Sequence, residues 1–231
     1  MATVHQTFPD MLPGTRRHTR HIVYDLAQSI RERDIITSEH CRRVAVYVNR
    51  LARSMGWPRR AARDLALAAL VHDLGKTWMQ NTLLHKVSAL SSDERAEMQR
   101  HPEIAANLLR AYGAPEELVQ IVLHHHEAYA GDGYPDHLCG QAIPVGSRLL
   151  SVADVFDALT SERPYKAAMD LATARGRIAA GAGTHFDPEV VEAFLQLLDA
   201  QPDFCLPPRV SPLPVRYAPH PTWVRHDSFD E

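Results

Sequence analysis

Cysteine is scarce in this sequence. The 231-residue chain has 3 cysteines, Cys41, Cys139 and Cys205, which lie far apart and form no CxxC pair. Isolated thiols in an odd number do not build a disulfide framework and are typical of proteins in a reducing compartment. We therefore expect a cytoplasmic protein without structural disulfides.

Long apolar segments and an excess of positive charge are also missing. No apolar run approaches the roughly 18 residues that span a bilayer, and Met1 to Pro13 lacks the basic and apolar stretches of a secretory signal. The formal net charge of -3 leaves no overall positive field to attract a polyphosphate. We expect neither a membrane segment nor binding to polymeric nucleic acid.

The alternation of apolar and polar residues that marks strands is absent, and so is any internal repeat. Apolar residues instead recur at helical spacing, for example at Val44, Tyr47, Val48 and Leu51. Hydrophobic residues make up 45% of the chain, which is enough for a substantial core. The pattern predicts an all-α domain over residues 19–200, between an irregular lead-in at 1–18 and a proline-rich tail at 201–231.

Helix starts are marked by capping residues. Ser91 and Glu94 match the S-x-x-E capping box, in which each side chain satisfies a free backbone N–H. Thr37 and Ser38 are the N-cap candidates of the helix that carries the first apolar stripe. His101 precedes a proline and is predicted to occupy the N-cap of its helix. The stretch 77–91 shows no period and is interpreted as a connection.

Histidine, by contrast, is abundant, with 14 residues. His72 and Asp73 stand side by side at the end of an Ala/Leu-rich helix, with Gly75 and Lys76 directly after them. This pairing suits a hydrolytic metal centre, because an imidazole fills one ligand position and a carboxylate can bridge two cations. Alone, the pair fits an ordinary helix C-terminus equally well.

Other imidazoles and carboxylates also fall at the ends or on the inner faces of predicted helices. Each has a structural alternative, such as a core histidine or a polar helix end. Asp154 shares an otherwise apolar face with Asp157, and a buried acid needs a partner or a cation. The candidate metal ligands are His40, His72, Asp73, His101, His125, His126 and Asp154. With basic residues nearby, this set describes a multi-metal pocket for a phosphate ester.

At these residues the sequence resembles the HD-GYP domain of the HD phosphohydrolase superfamily. The resemblance runs from about Arg33 to Leu198. It includes HDLGK from His72, HPEI from His101, HHE from His125, the Gly133-Tyr134-Pro135 triplet, and VADVFDALTSERPYK ending at Lys166. It implies a helical bundle of the HD/PDEase type with a metal centre in its core. It also implies two or three metal ions, usually iron or manganese, and hydrolysis of cyclic di-GMP to linear pGpG and onward to GMP.

The resemblance also implies roles for individual residues. The seven candidate ligands match the family's metal ligands, with Asp73 as the bridging and catalytic carboxylate. Lys76 matches a catalytic lysine that binds the reacting phosphate, while Arg163 and Lys166 match the basic residues that bind the other phosphate. The Gly133-Tyr134-Pro135 loop matches a shaping element and a candidate contact for a signalling partner.

The chain departs from the family pattern at several positions. Members with a third metal carry a glutamate four residues before the first ligand histidine, where this chain has Ile36, so we expect two divalent ions. Ala130 replaces a usual aspartate, and Trp78 lies in a stretch, 77–87, that fits the family poorly.

Several alternatives to the cyclic di-GMP phosphodiesterase stay open. The chain could be a non-catalytic module that binds a cyclic dinucleotide or a partner protein, or a phosphohydrolase for another nucleotide. Histidine and aspartate ligands also admit Zn or Ni beside Fe and Mn. The first helix could pack on the domain or form a homodimer.

Overall fold

The computed structural model describes residues 16–86, 88–162 and 167–201. Those residues form ten α-helices, two short 3₁₀ helices and no strand, which confirms the all-α prediction. The α-helices are α1 (Arg16–Arg33), α2 (Ile35–Ser54), α3 (Arg59–Val71), α4 (Asn81–Leu84), α5 (Ser92–Met98), α6 (His101–Ala111), α7 (Glu116–Leu123), α8 (Val145–Thr160), α9 (Leu171–Ala180) and α10 (Pro188–Ala200). The 3₁₀ helices are Leu74–Trp78 and Gly140–Ala142.

The core is built around α2, which packs against both α3 and α8. The predicted stripe of α2 is buried at Val44, Val48 and Leu51. Phe156 of α8 meets Phe194 of α10 edge to face, with ring centroids 4.9 Å apart. Aromatic and aliphatic side chains thus enclose α8 so fully that a polar residue on it needs a partner inside the protein.

The apolar stripe of α1 is used within the chain. Ile22, Val23, Leu26 and Ile30 are buried, and α1 packs against α2 and α3. Of the two alternatives for this helix, packing on the domain is therefore the one observed, and a homodimer through α1 stays a prediction. Among the described residues, no helix combines the length and the apolar character that crossing a bilayer requires.

The N-cap of α2 lies before the predicted position. Asp34 is the capping residue, and its side chain accepts a hydrogen bond from the backbone N–H of Ile36 at 2.9 Å. It also accepts one from the hydroxyl of Thr37 at 2.7 Å. The prediction of Thr37 or Ser38 was wrong, because Asp34, three residues before Thr37, is a further candidate of similar capping strength and it begins the helix.

The predictions for the other helix boundaries were partly right and partly wrong. The capping box of Ser91 and Glu94 is confirmed in full. His101 is the first residue of α6, not its N-cap, which is Arg100. The stretch 77–91 holds the end of a 3₁₀ helix and the single turn of α4 in addition to connections.

Helix α9 is not predicted by periodicity. Its buried side chains are few, Ala174 and Ile178, which is too short a stripe to show a period. Its start is instead set by Asp170, whose side chain accepts a hydrogen bond from the backbone N–H of Thr173 at 2.9 Å.

Gly75 allows two segments that carry candidate metal ligands to come into contact. A Cβ atom on Gly75 would lie 2.0 Å from the backbone oxygen of His101. Only glycine allows the 3₁₀ helix after Asp73 to approach the start of α6 this closely. The backbone thereby sets the distance between the HDLGK stretch and His101.

Candidate metal centre

The structure brings all seven predicted ligands together from five parts of the chain. One comes from α2, two follow α3, one begins α6, two follow α7 and one lies in α8. They form three overlapping groups of three residues, with His72 and His125 each in two groups. In each group the potential ligand atoms all lie within 4.8 Å of one another. The groups are His101, His125 and His126; His40, His72 and Asp73; and His72, His125 and Asp154.

Helix ends place these side chains in the interior. The Ala/Leu-rich α3 is buried along most of its length, so the two residues that follow it, His72 and Asp73, are buried as well. The face of α7 that carries Leu118 and Val122 continues into His125, which is fully buried. The core packing of the helices therefore determines where the ligands converge.

Three histidines share one hydrogen-bonding arrangement. His72, His101 and His125 each donate from Nδ1 to the carbonyl oxygen three residues earlier, at 2.8, 2.8 and 2.6 Å. In the neutral ring the proton therefore sits on Nδ1, and Nε2 carries the lone pair. This is the tautomer and orientation that a metal-binding histidine requires.

Several of the free acceptor atoms are buried and face one another. The Nε2 atoms of His101 and His125 lie 3.4 Å apart. His72 Nε2 and Asp73 Oδ1 are buried and find no hydrogen-bond partner among the residues that the structure describes. Clustered acceptors of this kind are costly unless a cation lies among them. The donor set of imidazole nitrogens and carboxylate oxygens therefore fits divalent transition-metal ions.

Asp73 contacts imidazoles of two ligand groups. Its Oδ1 lies 3.4 Å from His101 Nε2, while its Oδ2 lies 3.7 Å from His40 Nε2 and 3.5 Å from His72 Nε2. The two oxygens of one carboxylate thus face different histidines, as a bridging ligand would. Oδ2 also accepts a hydrogen bond from Lys76 Nζ at 2.8 Å.

His40 is oriented by a carboxylate that was not among the predicted site residues. Its Nδ1 donates to Asp157 Oδ2 at 2.7 Å, and its Nε2 lies 2.9 Å from Asp154 Oδ1. Arg43 donates to both oxygens of Asp157, from Nε at 2.7 Å and from Nη2 at 2.9 Å. The signal for Asp157 was available in the sequence, since it shares an apolar helix face with Asp154.

The carboxylates of the centre are held ionised. Burial alone would raise the pKa of Asp73, but the charges of Lys76 and His72 hold this pKa well below its usual range. For Asp154, the hydrogen bond from His40 and the nearby His72 imidazole overcome the same burial effect and hold its pKa well below the usual range. Both side chains are therefore available as anionic ligands.

The histidines divide into two electrostatic classes. Burial lowers the pKa of His101 to about 3 and that of His126 to about 4, and it lowers the pKa of His125 well below its usual value. Burial acts in the same direction on His40 and His72, but their carboxylate partners raise the pKa of both. The first class is neutral, with the lone pair that a metal needs, while the second lies closest to the negative charge.

The Gly133-Tyr134-Pro135 loop packs on the ligand pair at the end of α7. The Tyr134 ring stacks on His126, with centroids 5.0 Å apart and planes inclined by 29°. A Cβ atom on Gly133 would lie 2.1 Å from Ala128 N, so the loop can approach only with glycine there. The loop contributes no atom to the three ligand groups.

Asp136, directly after this loop, forms two hydrogen bonds. Its backbone N–H donates to Glu127 Oε1 at 2.7 Å. Its side-chain Oδ2 lies 2.9 Å from His124 Nε2. His124 and Glu127 flank the two ligand histidines, so these bonds hold the loop against the centre.

The cluster opens to solvent on one side. The side chains of Lys76 and Asp154 are 27% and 13% exposed, whereas those of His72 and Asp73 are 0% and 2% exposed. A ligand therefore reaches the centre past Lys76. Arg163 and Lys166, the predicted binding residues for a second phosphate, lie outside the described residues.

Comparison with known proteins gives consistent matches. A family model described as HD domain matches residues 25–190. The cyclic di-GMP phosphodiesterase response regulator RpfG of Xanthomonas campestris is 40% identical over 77% of this chain and 47% of its own length. The 3'3'-cGAMP-specific phosphodiesterase 2 of Vibrio cholerae is 34% identical over 82% of this chain and 37% of its own length. The chain thus spans less than half the length of these curated relatives.

The fold is also found among solved structures. The Vibrio cholerae cyclic GMP-AMP specific phosphodiesterase V-cGAP3 superposes with a TM-score of 0.60 at 21% identity, over 80% of this chain and 50% of the other. At this identity the likeness concerns the fold alone. It supports the helical arrangement that places the seven ligands.

Proposed function

The chain belongs to the HD-domain family, and from this premise we propose that it is a metal-dependent phosphodiesterase that hydrolyses cyclic di-GMP to linear pGpG, with GMP as the product of a further step that the sequence leaves open. The observation that carries the proposal is the convergence of seven ligand-type side chains on one buried site, with Asp73 contacting imidazoles of two ligand groups. A module that only binds a nucleotide has no need of such a set of buried, unpartnered acceptors.

Two divalent ions, iron or manganese, are the cofactors that we propose. His40, His72, Asp73, His101, His125, His126 and Asp154 would hold them. When bound, such ions neutralise phosphate oxygens and lower the pKa of a water molecule. We infer two ions and not three because Ile36, one turn before His40, offers no ligand atom.

Lys76 is placed to bind the reacting phosphate. Burial would lower the pKa of its ammonium group, but the carboxylates of Asp73 and Asp154 raise it, so the group stays charged. The ammonium has three N–H groups, and among the described residues one of them is donated to Asp73. The remaining donors can bind a phosphoryl oxygen and stabilise the negative charge that develops on it.

Other parts of the proposal rest on the sequence. Arg163 and Lys166 would bind the second phosphate of the cyclic dinucleotide, and the Gly133-Tyr134-Pro135 loop would contact a signalling partner. A cytoplasmic location and a homodimer through α1 also stay predictions.

A second candidate substrate is 3'3'-cGAMP. It is favoured by a relative from Vibrio cholerae, the 3'3'-cGAMP-specific phosphodiesterase 2. The two cyclic dinucleotides carry the same phosphodiester ring and differ in one purine, so the same centre would serve both.

Product chromatography with controlled metal content tests the proposal. The purified chain is treated with EDTA, then supplied with Mn²⁺ or Fe²⁺, and incubated with cyclic di-GMP or 3'3'-cGAMP. We expect no product after EDTA and linear dinucleotide after metal is restored. Binding of cyclic di-GMP without hydrolysis in every metal condition would instead identify a non-catalytic module.

A further inference from the structure

Three of the exposed large hydrophobic side chains lie in two chain segments that meet. Ile35, Ile36 and Trp78 are 56%, 46% and 70% exposed. Arg33 Nη2 donates to the carbonyl oxygen of Met79 at 3.1 Å, which ties the end of α1, two residues before Ile35, to the residue after Trp78. We call Ile35, Ile36 and Trp78 the apolar rim.

Each segment of the apolar rim also carries a residue of the candidate metal centre. Ile36 lies one turn before His40, on the same face of α2. Trp78 ends the 3₁₀ helix that carries Lys76, whose side chain is 27% exposed and reaches Asp73. Among the described residues, Trp78 is the exposed large hydrophobic residue nearest in sequence to Lys76, the group that would bind the phosphate.

The chemistry of the rim matches a nucleobase. An exposed indole leaves a large apolar surface in contact with water, and exposed apolar surface of this kind commonly marks a binding site. Aromatic side chains bind nucleotides by stacking on the base, while the charged groups beside them bind the phosphate. Lys76 and Trp78 lie two residues apart and supply one group of each kind.

We propose that Trp78 stacks on a purine base of the cyclic dinucleotide, with Ile36 and Ile35 extending the apolar surface beside it. The inference rests on the proposed function and deepens it, because it assigns a base-binding subsite to residues outside the ligand set. Stacking uses the face of the base and not its polar edge, so Trp78 contributes affinity without choosing between guanine and adenine.

Steady-state kinetics of the metal-loaded full chain test the subsite. Trp78→Ala should raise KM for cyclic di-GMP about tenfold or more, with a smaller change in kcat, since stacking holds the base and not the reacting phosphate. Trp78→Phe should recover most of that loss. KM for 3'3'-cGAMP should rise by a similar factor in Trp78→Ala.

Tyr24→Ala provides the matched control. Tyr24 is an exposed aromatic residue of α1, nine residues before Arg33 and so about 14 Å along the helix from it. Its substitution should leave both KM values as in the wild type. An unchanged KM in Trp78→Ala, while the wild type hydrolyses cyclic di-GMP, would overturn the subsite and leave the proposed function standing.

If the wild type hydrolyses nothing, a binding measurement tests the stacking on Trp78 separately from the proposed phosphodiesterase activity. Trp57 is buried, and GMP should quench the fluorescence of the wild type more than that of Trp78→Phe. Equal quenching in the two proteins would overturn the stacking. Sedimentation of the wild type and of Trp78→Ala is measured in parallel, because a dimeric wild type and a monomeric Trp78→Ala would show that the rim binds a second copy and not a base.

Discussion

His40 Nδ1 donates to Asp157 Oδ2 at 2.7 Å, and this bond turns the other ring nitrogen towards Asp154. Asp157 is fully buried and is held in turn by two hydrogen bonds from Arg43. Burial would raise its pKa, but the hydrogen bonds from His40 and Arg43 lower it, so the carboxylate stays ionised. The orientation of one candidate ligand therefore depends on a residue outside the predicted set.

Asp157→Asn should weaken metal binding. The substitution keeps the size of the side chain but removes its charge, and loss of a partner that orients a ligand histidine costs about 10- to 100-fold in metal affinity. Competition with a chelator measures this affinity. Asp187→Asn is the matched control, because Asp187 is a buried carboxylate paired with Arg148 at α10. If both variants lose stability equally and keep their metal affinity, the orienting role of Asp157 is refuted.

Asp73→Asn tests the bridging carboxylate. The change is nearly isosteric and leaves the apolar face of α3 intact, so the fold should survive. Metal content should fall, and turnover should drop about a thousandfold or more, because the cations that activate water are no longer held together. Circular dichroism, thermal melting and elemental analysis are run on one sample, with Asp25→Asn on exposed α1 as control. A folded, fully metallated variant with activity within about tenfold of the wild type would contradict the mechanism.

The metal content itself is a prediction. Anaerobically prepared protein should hold about two metal ions per chain, because Ile36 places no carboxylate beside His40. Ile36→Glu would introduce a carboxylate one turn before His40 and should raise the metal content towards three. A reproducible content near three in the wild type would show that another group supplies the missing ligand.

Gly133→Ala should disturb the loop over His126. The added methyl group meets backbone atoms of Glu127 and Ala128, which cannot move aside as a flexible side chain can. We expect kcat to fall about 100-fold, as small displacements of positioning groups do. Gly176→Ala in α9 is the control, since a Cβ there meets nothing within 4 Å and should be neutral. Equal kcat values for the two variants would show that the loop does not position the centre.

Arg163→Ala and Lys166→Ala should separate binding from turnover. Both residues are predicted to hold the phosphate that does not react, so each substitution should raise KM about tenfold and change kcat less. Initial rates over a range of cyclic di-GMP concentrations give both constants. A variant that keeps its KM and loses only kcat would reassign that residue to the reacting phosphate.

Sequence reasoning indicated which candidate ligands converge better than it indicated which residues support them. Helical periodicity showed that His72 and His125 continue buried faces, and the ordered motifs showed which residues belong together. It could not show that Asp157 meets His40, because the two are 117 residues apart and an acid on an apolar face fits a ligand as well as a partner. The paired bonds of Asp136 to Glu127 and His124 also depend on loop geometry that no local pattern encodes.

Helix boundaries show the same limit on a smaller scale. Asp34, Thr37 and Ser38 all suit an N-cap, and the choice between them depends on which backbone N–H groups are left free. Helix α9 was not predicted, because a helix that buries only Ala174 and Ile178 shows little helical periodicity of apolar residues. Position-specific contacts, and not composition, decide such cases.

The contact between Gly75 and the backbone of His101 has a further consequence for how this protein can vary. Gly75 follows Asp73 by two residues, so the spacing between Asp73 and His101 depends on main chain packed against main chain. This one spacing is therefore less sensitive to the size of core side chains than the positions of the other candidate ligands are. The same arrangement leaves position 75 closed to every other amino acid.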